Sequence, residues 1–365
     1  GNEGAVESYW NNSGYWTNVM APKHGALLLF VEHRYFGESL PFGAKSLDGK
    51  NAKYLSSEQA LADYGIFLHQ YKKDHGLEKS PVIVFGGSYG GMLAAWFRMK
   101  YPQVVDGAIA ASAPLVMYPG ITSPYAFNEV VTNDFANAKP GCADYFRQGF
   151  QTLKELRTQS EHYAALKKEL NWCSDIQSAS DVDGIYGWIS GAMGTMAMLD
   201  YPYPTDFMAN VPGSPVTVGC EKLLDVVNSE EKVDNQVFES SENPFLQLLD
   251  RLLDDETPSS TLPDVKILKG MAAAVNVFYD YEGKTTCNGY GSETNDEIVL
   301  DSWGYMACTE QILPIASNGK TDFFWSQPWD LEAFSKQCEE QWGTPSRPSW
   351  VPEHFGGWNY EQDFV

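Results

Sequence analysis

The stretch PVIVFGGSYGGMLAAWFRMKYP, residues 81–102, constrains the fold of this chain more than any other. Its first five residues, 81–85, form an apolar run rich in β-branched side chains, which predicts a strand covered on both faces. A glycine-rich turn that carries Ser88 follows, and residues 92–100 then show a helical pattern that Pro102 ends. The sequence therefore predicts a strand, a sharp turn bearing one serine, and a helix.

The turn contains the pattern G-x-S-x-G in residues 86–90, which is typical of a nucleophilic serine held between a strand and a helix. Glycines are expected there because side chains would collide in so tight a turn. The helix directs its free N–H groups and the positive end of its dipole towards Ser88, where negative charge develops during acyl transfer. We therefore interpret Ser88 as a nucleophile and the backbone N–H of Tyr89 as a donor to the oxyanion.

Neighbouring segments predict an α/β fold with a parallel sheet. Residues 25–32 (GALLLFVE) and 105–111 (VDGAIAA) are short apolar strand candidates, and residues 56–72 carry apolar side chains at helical spacing. Strands and helices that alternate at this spacing are typical of parallel sheets.

Helical patterns dominate the rest of the chain. We predict an α/β domain over residues 1–117, a mostly helical domain over residues 118–343, and a return towards the first domain over residues 344–365.

The composition excludes several classes of partner. With 48 acidic and 25 basic residues the net charge is −23, which argues against nucleic acid because phosphate binding needs a basic surface. Two explanations of the acidity stay open, solubility and an acidic compartment. No apolar run approaches the roughly 18 residues of a membrane-spanning helix, so no membrane partner is expected.

Six cysteines, all after the serine helix, indicate a disulfide framework in an oxidising compartment, with buried free thiols as the alternative. None of them forms C-x-x-C, so no metal site is expected, and nothing in the sequence implies a cofactor. Asn11 begins the only N-glycosylation sequon, which predicts a glycan at that residue.

A serine nucleophile needs a base and an acid that orients the base. The chain order expected for this kind of turn is serine, acid, histidine, yet only His162 and His354 follow Ser88. We interpret His162 as a surface residue of a helix, and His354 precedes any returning strand. Only three strands are visible. We therefore expect the chain to be a fragment that lacks both ends, with the triad Asp and His outside it.

Six motifs spread over nearly the whole chain carry a family resemblance. They are GNEG, VEHRYFGESLPFG, GGSYGGMLAAWFRMKYP, GAIAASAP, DYPYP and CEEQWGTPSRPSW. Together they resemble the lysosomal Pro-Xaa carboxypeptidase family of serine peptidases, whose members include prolylcarboxypeptidase, dipeptidyl peptidase II and thymus-specific serine protease. The resemblance implies an α/β-hydrolase fold with a large helical cap insertion, and cleavage after proline by a Ser-Asp-His triad.

The same resemblance assigns roles to residues of the serine domain. It implies that Ser88 is the nucleophile, that the N–H of Tyr89 binds the oxyanion, and that the loop of Asn2 and Glu3 lies beside them. Met92 is similar to a residue that lines the proline pocket, with ordinary core packing as the alternative.

In the second half of the chain, Leu313 is similar to another residue of the proline pocket, again with core packing as the alternative. The family's acid motif S-N-G-x-x-D-P-W is imitated at Asp322, which we reject as the triad acid because it comes before the QWG and PSW run rather than after it. The resemblance also implies three disulfides, Cys142–Cys220, Cys173–Cys287 and Cys308–Cys338.

The function implied by the resemblance is that of a lysosomal, vacuolar or extracellular serine exopeptidase. It would cleave on the C-terminal side of proline through an acyl-enzyme, and the fragment alone is expected to be inactive. One alternative is a dipeptidyl peptidase that releases N-terminal Xaa-Pro dipeptides. Another, from a different class, is a non-catalytic binding protein of the same fold. Small proline-containing peptides are the expected partners, and a homodimer is left open.

Overall fold

The computed structural model describes residues 1–229, 262–289 and 297–357. The last part of the predicted return segment, residues 358–365, lies outside the described residues. Within the described part no helix is long and apolar enough to cross a membrane.

The chain divides into two compact units. Unit 1 contains Gly1–Ala126, Ser292–Ala316 and Pro328–Val365, and unit 2 contains Phe127–Gly291 and Ser317–Gln327.

The helices are numbered in chain order through both units. They are α1 (Val6–Asn11), α2 (Ala21–His24), α3 (Ser57–Asp74), α4 (Ser88–Lys100), α5 (Ala126–Ala138), α6 (Cys142–Leu156), α7 (Tyr163–Glu169), α8 (Ala179–Met198), α9 (Pro215–Asn228), α10 (Val265–Tyr279), α11 (Glu297–Thr309), α12 (Leu331–Trp342) and α13 (Trp350–His354).

A two-stranded parallel sheet is formed by the described residues of unit 1. Strand β1 (Ile83–Gly87) pairs with β2 (Gly107–Ala111), with Ile83 opposite Gly107 and Gly87 opposite Ala111. Helix α4 connects the two strands, so β1, α4 and β2 form one βαβ unit. The mixed α/β fold class is confirmed.

Two details of the strand prediction are wrong in this structure. Residues 25–32 form no hydrogen-bonded strand, and Leu27 in this segment is 59% exposed. An apolar run becomes a strand only where a neighbouring strand accepts and donates the ladder bonds, and none pairs with it among the described residues. The sheet is also less covered than predicted, because Ile83 and Ile109 are 54% and 46% exposed.

The hydrophobic core of unit 1 packs around α3 and α4. The predicted helix over residues 56–72 is observed as α3, and its N-cap is Ser56, whose hydroxyl accepts the N–H of Gln59. Met92 and Trp96 of α4 are fully buried in this core. The core therefore lies directly behind the turn that carries Ser88.

Unit 2 is all-helical in its described part apart from isolated bridges, and its core is rich in aromatic side chains. Phe135 and Phe146 pack edge to face, with ring centroids 5.3 Å apart. Helix α8 begins with a capping box between Ser178 and Asp181. The mostly helical character predicted for this part of the chain is observed.

The observed boundaries differ from the predicted domains, because residues 118–126, 292–316 and 328–343 belong to unit 1. In α11, Tyr305 and Met306 are buried in the core of unit 1. A helical pattern predicts a helix, but it does not reveal which of two cores the helix packs against.

All six cysteines are joined in disulfides, in the pairs that the resemblance implies. The pair Cys142–Cys220 links α6 to α9, and Cys173–Cys287 links two loops of unit 2. Cys308–Cys338 links α11 to α12 within unit 1. Each disulfide therefore links two segments of the same unit.

Candidate active site

Ser88 stands at the junction between β1 and α4 in a left-handed conformation. Its φ is +53°, while Gly87 before it is extended, with φ −114° and ψ 156°. A non-glycine residue in this region costs roughly 1–3 kcal/mol and persists where the surroundings enforce it. The side chain of Ser88 is exposed, and no described side chain is hydrogen-bonded to its hydroxyl. The serine is thus held in a strained turn and open to solvent.

Close backbone contacts require glycine at two positions of the turn, Gly86 and Gly91. A Cβ on Gly86 would lie 2.2 Å from the carbonyl oxygen of Gly90. A Cβ on Gly91 would lie 3.0 Å from the carbonyl oxygens of Gly86 and Ala111. Gly87 differs, since a Cβ there would meet only the oxygen of Ala111, at 3.8 Å. The expectation that side chains would collide in the turn therefore holds for some of its glycines and not for Gly87.

The loop that carries Asn2 and Glu3 lies beside this turn. A Cβ on Gly90 would be 2.6 Å from Asn2 Oδ1, so the Asn2 side chain occupies the space that the glycine leaves free. Asn2 Oδ1 and Glu3 Oε2 are both buried without a hydrogen-bond partner among the described residues. Burial raises the pKa of Glu3. The structure therefore brings the predicted oxyanion loop and the serine turn together.

Tyr89, directly after the serine, points into the core of unit 1. Its side chain is 1% exposed, and its hydroxyl lies 3.1 Å from Nε2 of His33 and 2.9 Å from Oγ of Ser57. Burial raises the pKa of Tyr89 well above its ordinary value. The neutral phenol is thus available to donate one hydrogen bond and accept another.

Glu310 is a second buried acid in unit 1 and is 1% exposed. Its Oε1 accepts the N–H of Ser57 at 2.6 Å and the hydroxyl of Ser57 at 2.7 Å, and its Oε2 lies 3.3 Å from Nη2 of Arg347. Burial raises the pKa of Glu310, since desolvation outweighs these partners. Gln311 completes the cluster, because its Nε2 donates to Ser57 Oγ at 2.8 Å.

Sequence reasoning did not find the buried cluster of His33, Ser57, Glu310 and Gln311. His33 and Glu310 belong to motifs of unremarkable spacing, HRYFGES and CTEQ. No local pattern indicates that His33 contacts the hydroxyl of Tyr89 while Glu310 contacts the neighbouring hydroxyl of Ser57. An ionisable residue next to an apolar segment of the sequence could have indicated such a cluster, because ionisable groups are seldom buried without partners.

The two residues expected in a proline pocket lie in or against the core of unit 1. Met92 is fully buried, and Leu313 is half-buried and packs against the same cluster. Their contact with substrate stays a prediction.

The other candidate acid and base have local partners. In unit 2, the Asp322 carboxylate accepts backbone N–H groups from Asn318 at 2.7 Å, Gly319 at 3.2 Å and Phe324 at 3.0 Å, so it shapes its own turn. His354 stacks on Trp350 and forms a hydrogen bond with the carbonyl of that residue through Nδ1, at 2.7 Å.

No group of three or more metal-ligating side chains is found among the described residues.

A βαβ unit with an exposed, strained serine at its strand-to-helix turn is typical of serine hydrolases of the α/β class. The profile of the family described as serine carboxypeptidase S28 matches residues 1–354, and the chain belongs to this family. The family resemblance and the α/β-hydrolase fold are therefore confirmed.

The curated relatives of the chain include proteins of mammals and a nematode. Lysosomal Pro-X carboxypeptidase of Bos taurus is 35% identical over 98% of this chain and 65% of the relative. The Homo sapiens protein of the same name is 36% identical over 98% of this chain and 66% of its own length. Prolyl carboxy peptidase like protein 5 of Caenorhabditis elegans is 33% identical over 93% of this chain and 62% of the relative. The chain thus spans somewhat less than two thirds of the length of these relatives.

Proposed function

We propose that the protein carrying this chain is a serine exopeptidase that cleaves peptides on the C-terminal side of proline. The observation that carries the proposal is Ser88, exposed and left-handed at the end of β1 and the start of α4. Membership of the serine carboxypeptidase family and relatives named Pro-X carboxypeptidase support it.

The reaction assigned to this turn is acyl transfer. Ser88 Oγ attacks the carbonyl carbon of the proline while a general base takes the hydroxyl proton. The base then gives this proton to the amide nitrogen, and the amine departs as the acyl-enzyme forms. Water then attacks the ester carbonyl and releases the peptide with a C-terminal proline, which regenerates Ser88. The N–H of Tyr89, at the positive end of α4, is one donor to the oxyanion. The loop of Asn2 and Glu3 lies beside this donor.

The proposal also assigns the substrate pocket. Met92 and Leu313 line the pocket for the proline ring, and small proline-containing peptides are the substrates.

The proposal includes a glycan on Asn11, which is exposed. Digestion with an endoglycosidase followed by mass measurement tests this. The homodimer stays a prediction, to be tested by light scattering on the purified protein.

The proposed setting is lysosomal or secreted. Three disulfides are typical of proteins that fold in an oxidising compartment, and the named mammalian relatives are lysosomal. Localisation of a tagged, full-length protein by microscopy together with a secretion assay tests this assignment.

Fluorophosphonate labelling of the intact protein tests the nucleophile. Wild type should be labelled at Ser88, and Ser88→Ala should not be labelled. Ser112→Ala is the matched control, because Ser112 also follows a strand with a positive φ of 46° and an exposed side chain, yet no helix begins at it. Labelling of Ser88→Ala at the wild-type rate would refute the assignment and favour the non-catalytic binding protein.

The direction of cleavage needs a second measurement. A peptide with a blocked N-terminus and a C-terminal Pro-Phe should release phenylalanine, and this release should disappear in Ser88→Ala. A peptide with a free Xaa-Pro N-terminus and an amidated C-terminus should be stable. The opposite pair of results would assign dipeptidyl peptidase activity instead.

A further inference from the structure

The hydroxyl of Tyr89 is the meeting point of a buried hydrogen-bond chain. The direction of its first bond follows from the tautomer of His33. Nδ1 of His33 lies 2.6 Å from the carbonyl oxygen of Arg34, and because a carbonyl only accepts, Nδ1 carries the proton. Burial lowers the pKa of His33 to about 3, so the ring is neutral and its Nε2 has a free lone pair. Tyr89 therefore donates to His33.

The other lone pairs of the Tyr89 oxygen face Ser57, the first residue of α3. Ser57 Oγ accepts from Nε2 of Gln311, and its single hydroxyl proton has two acceptors within reach, Oε1 of Glu310 at 2.7 Å and the Tyr89 oxygen at 2.9 Å. The chain continues to Tyr118, whose hydroxyl donates to Gln311 Oε1 at 2.8 Å. His33, Ser57 and Glu310 are each 0–1% exposed. A buried network of this kind is costly when broken, since each orphaned group loses its solvation without a replacement.

The network acts on the turn through a stiff side chain. The ring of Tyr89 ties its fixed hydroxyl to a backbone in the first turn of α4, next to the left-handed Ser88. A residue in a sparsely populated conformation persists only where its surroundings over-determine it. Fixing the Tyr89 side chain at its far end supplies such a restraint one residue from the strain.

We propose that His33, Ser57 and Glu310 are positioning residues that hold Tyr89, and with it the turn of Ser88, in the geometry that binds the oxyanion. The inference rests on the proposed function of Ser88. It adds that residues without contact to substrate set the rate of the chemical step by fixing the direction of the Tyr89 N–H. An oxyanion donor works only when it is oriented before the charge develops.

The test compares three single variants of the intact protein and one double variant that combines Tyr89→Phe with Ser57→Ala, all at a temperature where each is fully folded. Tyr89→Phe removes the shared hydroxyl, and Ser57→Ala removes its partner. Tyr163→Phe is the control, because Tyr163 in unit 2 is also buried and loses one hydrogen bond, to the carbonyl of Arg157 at 2.8 Å. The readouts are kcat and KM on a blocked peptide ending in Pro-Phe, the rate of fluorophosphonate labelling, and deuterium uptake of the segment 84–92.

Tyr89→Phe is expected to lower kcat and the labelling rate by about 10-fold with KM changed less than 2-fold. This loss is smaller than the 10²–10³-fold that removal of a donor costs, because the N–H is misaligned rather than absent. Ser57→Ala should act in the same direction, and the double variant should lose no more than about the larger single effect, since both break one chain. Deuterium uptake of segment 84–92 should rise in both, and Tyr163→Phe should leave all three readouts unchanged.

The outcomes separate the inference from the function on which it rests. If wild type is labelled at Ser88 and Tyr89→Phe is labelled equally fast, the inference is overturned while the proposed function stands. Additive losses in the double variant also overturn it, because independent effects exclude one shared chain. If wild type is not labelled at all, the proposed function and the catalytic part of the inference fail together.

Discussion

The two neighbouring glycines before Ser88 are expected to respond in opposite ways to the same substitution. Gly86→Ala places a Cβ 2.2 Å from the carbonyl oxygen of Gly90 and 2.3 Å from its carbonyl carbon. Both atoms are backbone in the first turn of α4, so no change of side-chain rotamer relieves the contact. Gly87→Ala meets only the oxygen of Ala111 at 3.8 Å, and Gly87 already has an extended conformation that alanine adopts.

The structure sets the size of the difference. Close carbon-to-oxygen contacts start at about 3.3 Å, so the backbone around Gly86 must separate by roughly 1 Å. Overpacking a rigid site costs about 1–3 kcal/mol and more where backbone must move, so we expect Gly86→Ala to lose about 3 kcal/mol of the free energy of unfolding. Gly87→Ala should be neutral or gain up to about 1 kcal/mol, because alanine restricts the unfolded chain more than glycine does.

Thermal unfolding followed by tryptophan fluorescence measures both variants beside wild type. A loss of 3 kcal/mol corresponds to a fall in Tm of about 6–12 °C for a domain of this size, whereas Gly87→Ala should stay within about 3 °C of wild type or above it. Gly86→Ala with the wild-type Tm would falsify the steric argument. Equal losses in the two variants would show that the turn tolerates no side chain at either position, for a reason other than the contacts described.

Three further outcomes follow from the burial and bonding of single groups. Joint replacement of Cys142 and Cys220 by alanine should lower the free energy of unfolding by about 4 kcal/mol, because the disulfide closes a loop with a sequence separation of 78. A urea unfolding midpoint equal to that of wild type would contradict this. The raised pKa of Glu310 means that the folded state binds its proton more tightly than the unfolded chain, so stability should fall as the pH rises above about 4.5, and Glu310→Gln should flatten the plot of Tm against pH. Asp322→Ala leaves the backbone N–H groups of Asn318, Gly319 and Phe324 without their charged acceptor, the last of them buried, and should cost about 3 kcal/mol. The fluorophosphonate labelling rate of Ser88 per folded molecule should nevertheless match wild type. Loss of labelling in folded Asp322→Ala would reopen its role as the triad acid.

Local signals predicted the part of the fold that carries the serine. The unit β1–α4–β2 is encoded within residues 81–111, where apolar runs, a glycine turn and a helical pattern follow one another. Each of these features depends on neighbours in sequence, and the prediction was accurate for that reason. Residues 25–32 show the limit, because an apolar run of the same kind forms no strand where no paired strand lies beside it among the described residues.

The supports of the candidate site could not be predicted in this way. Ser57 and Glu310 are separated by 253 residues, and their contact leaves no periodicity in either segment. The same holds for α11, whose sequence predicts a helix but not its place in unit 1. Strain at Ser88 was predictable because a turn motif is local, whereas the groups that enforce the strain depend on tertiary packing.

The separation of 253 residues between Ser57 and Glu310 also sets an order of events during synthesis. A ribosome adds roughly 5–20 residues per second, so Glu310 is made about 10–50 s after Ser57 and after most of unit 2. Until then the hydroxyl of Ser57 lacks its buried acceptor, and the anchor of Tyr89 is incomplete. A nascent chain that already contains the whole serine turn therefore still lacks the contacts that rigidify it, and maturation of the turn is tied to completion of the later segments of unit 1.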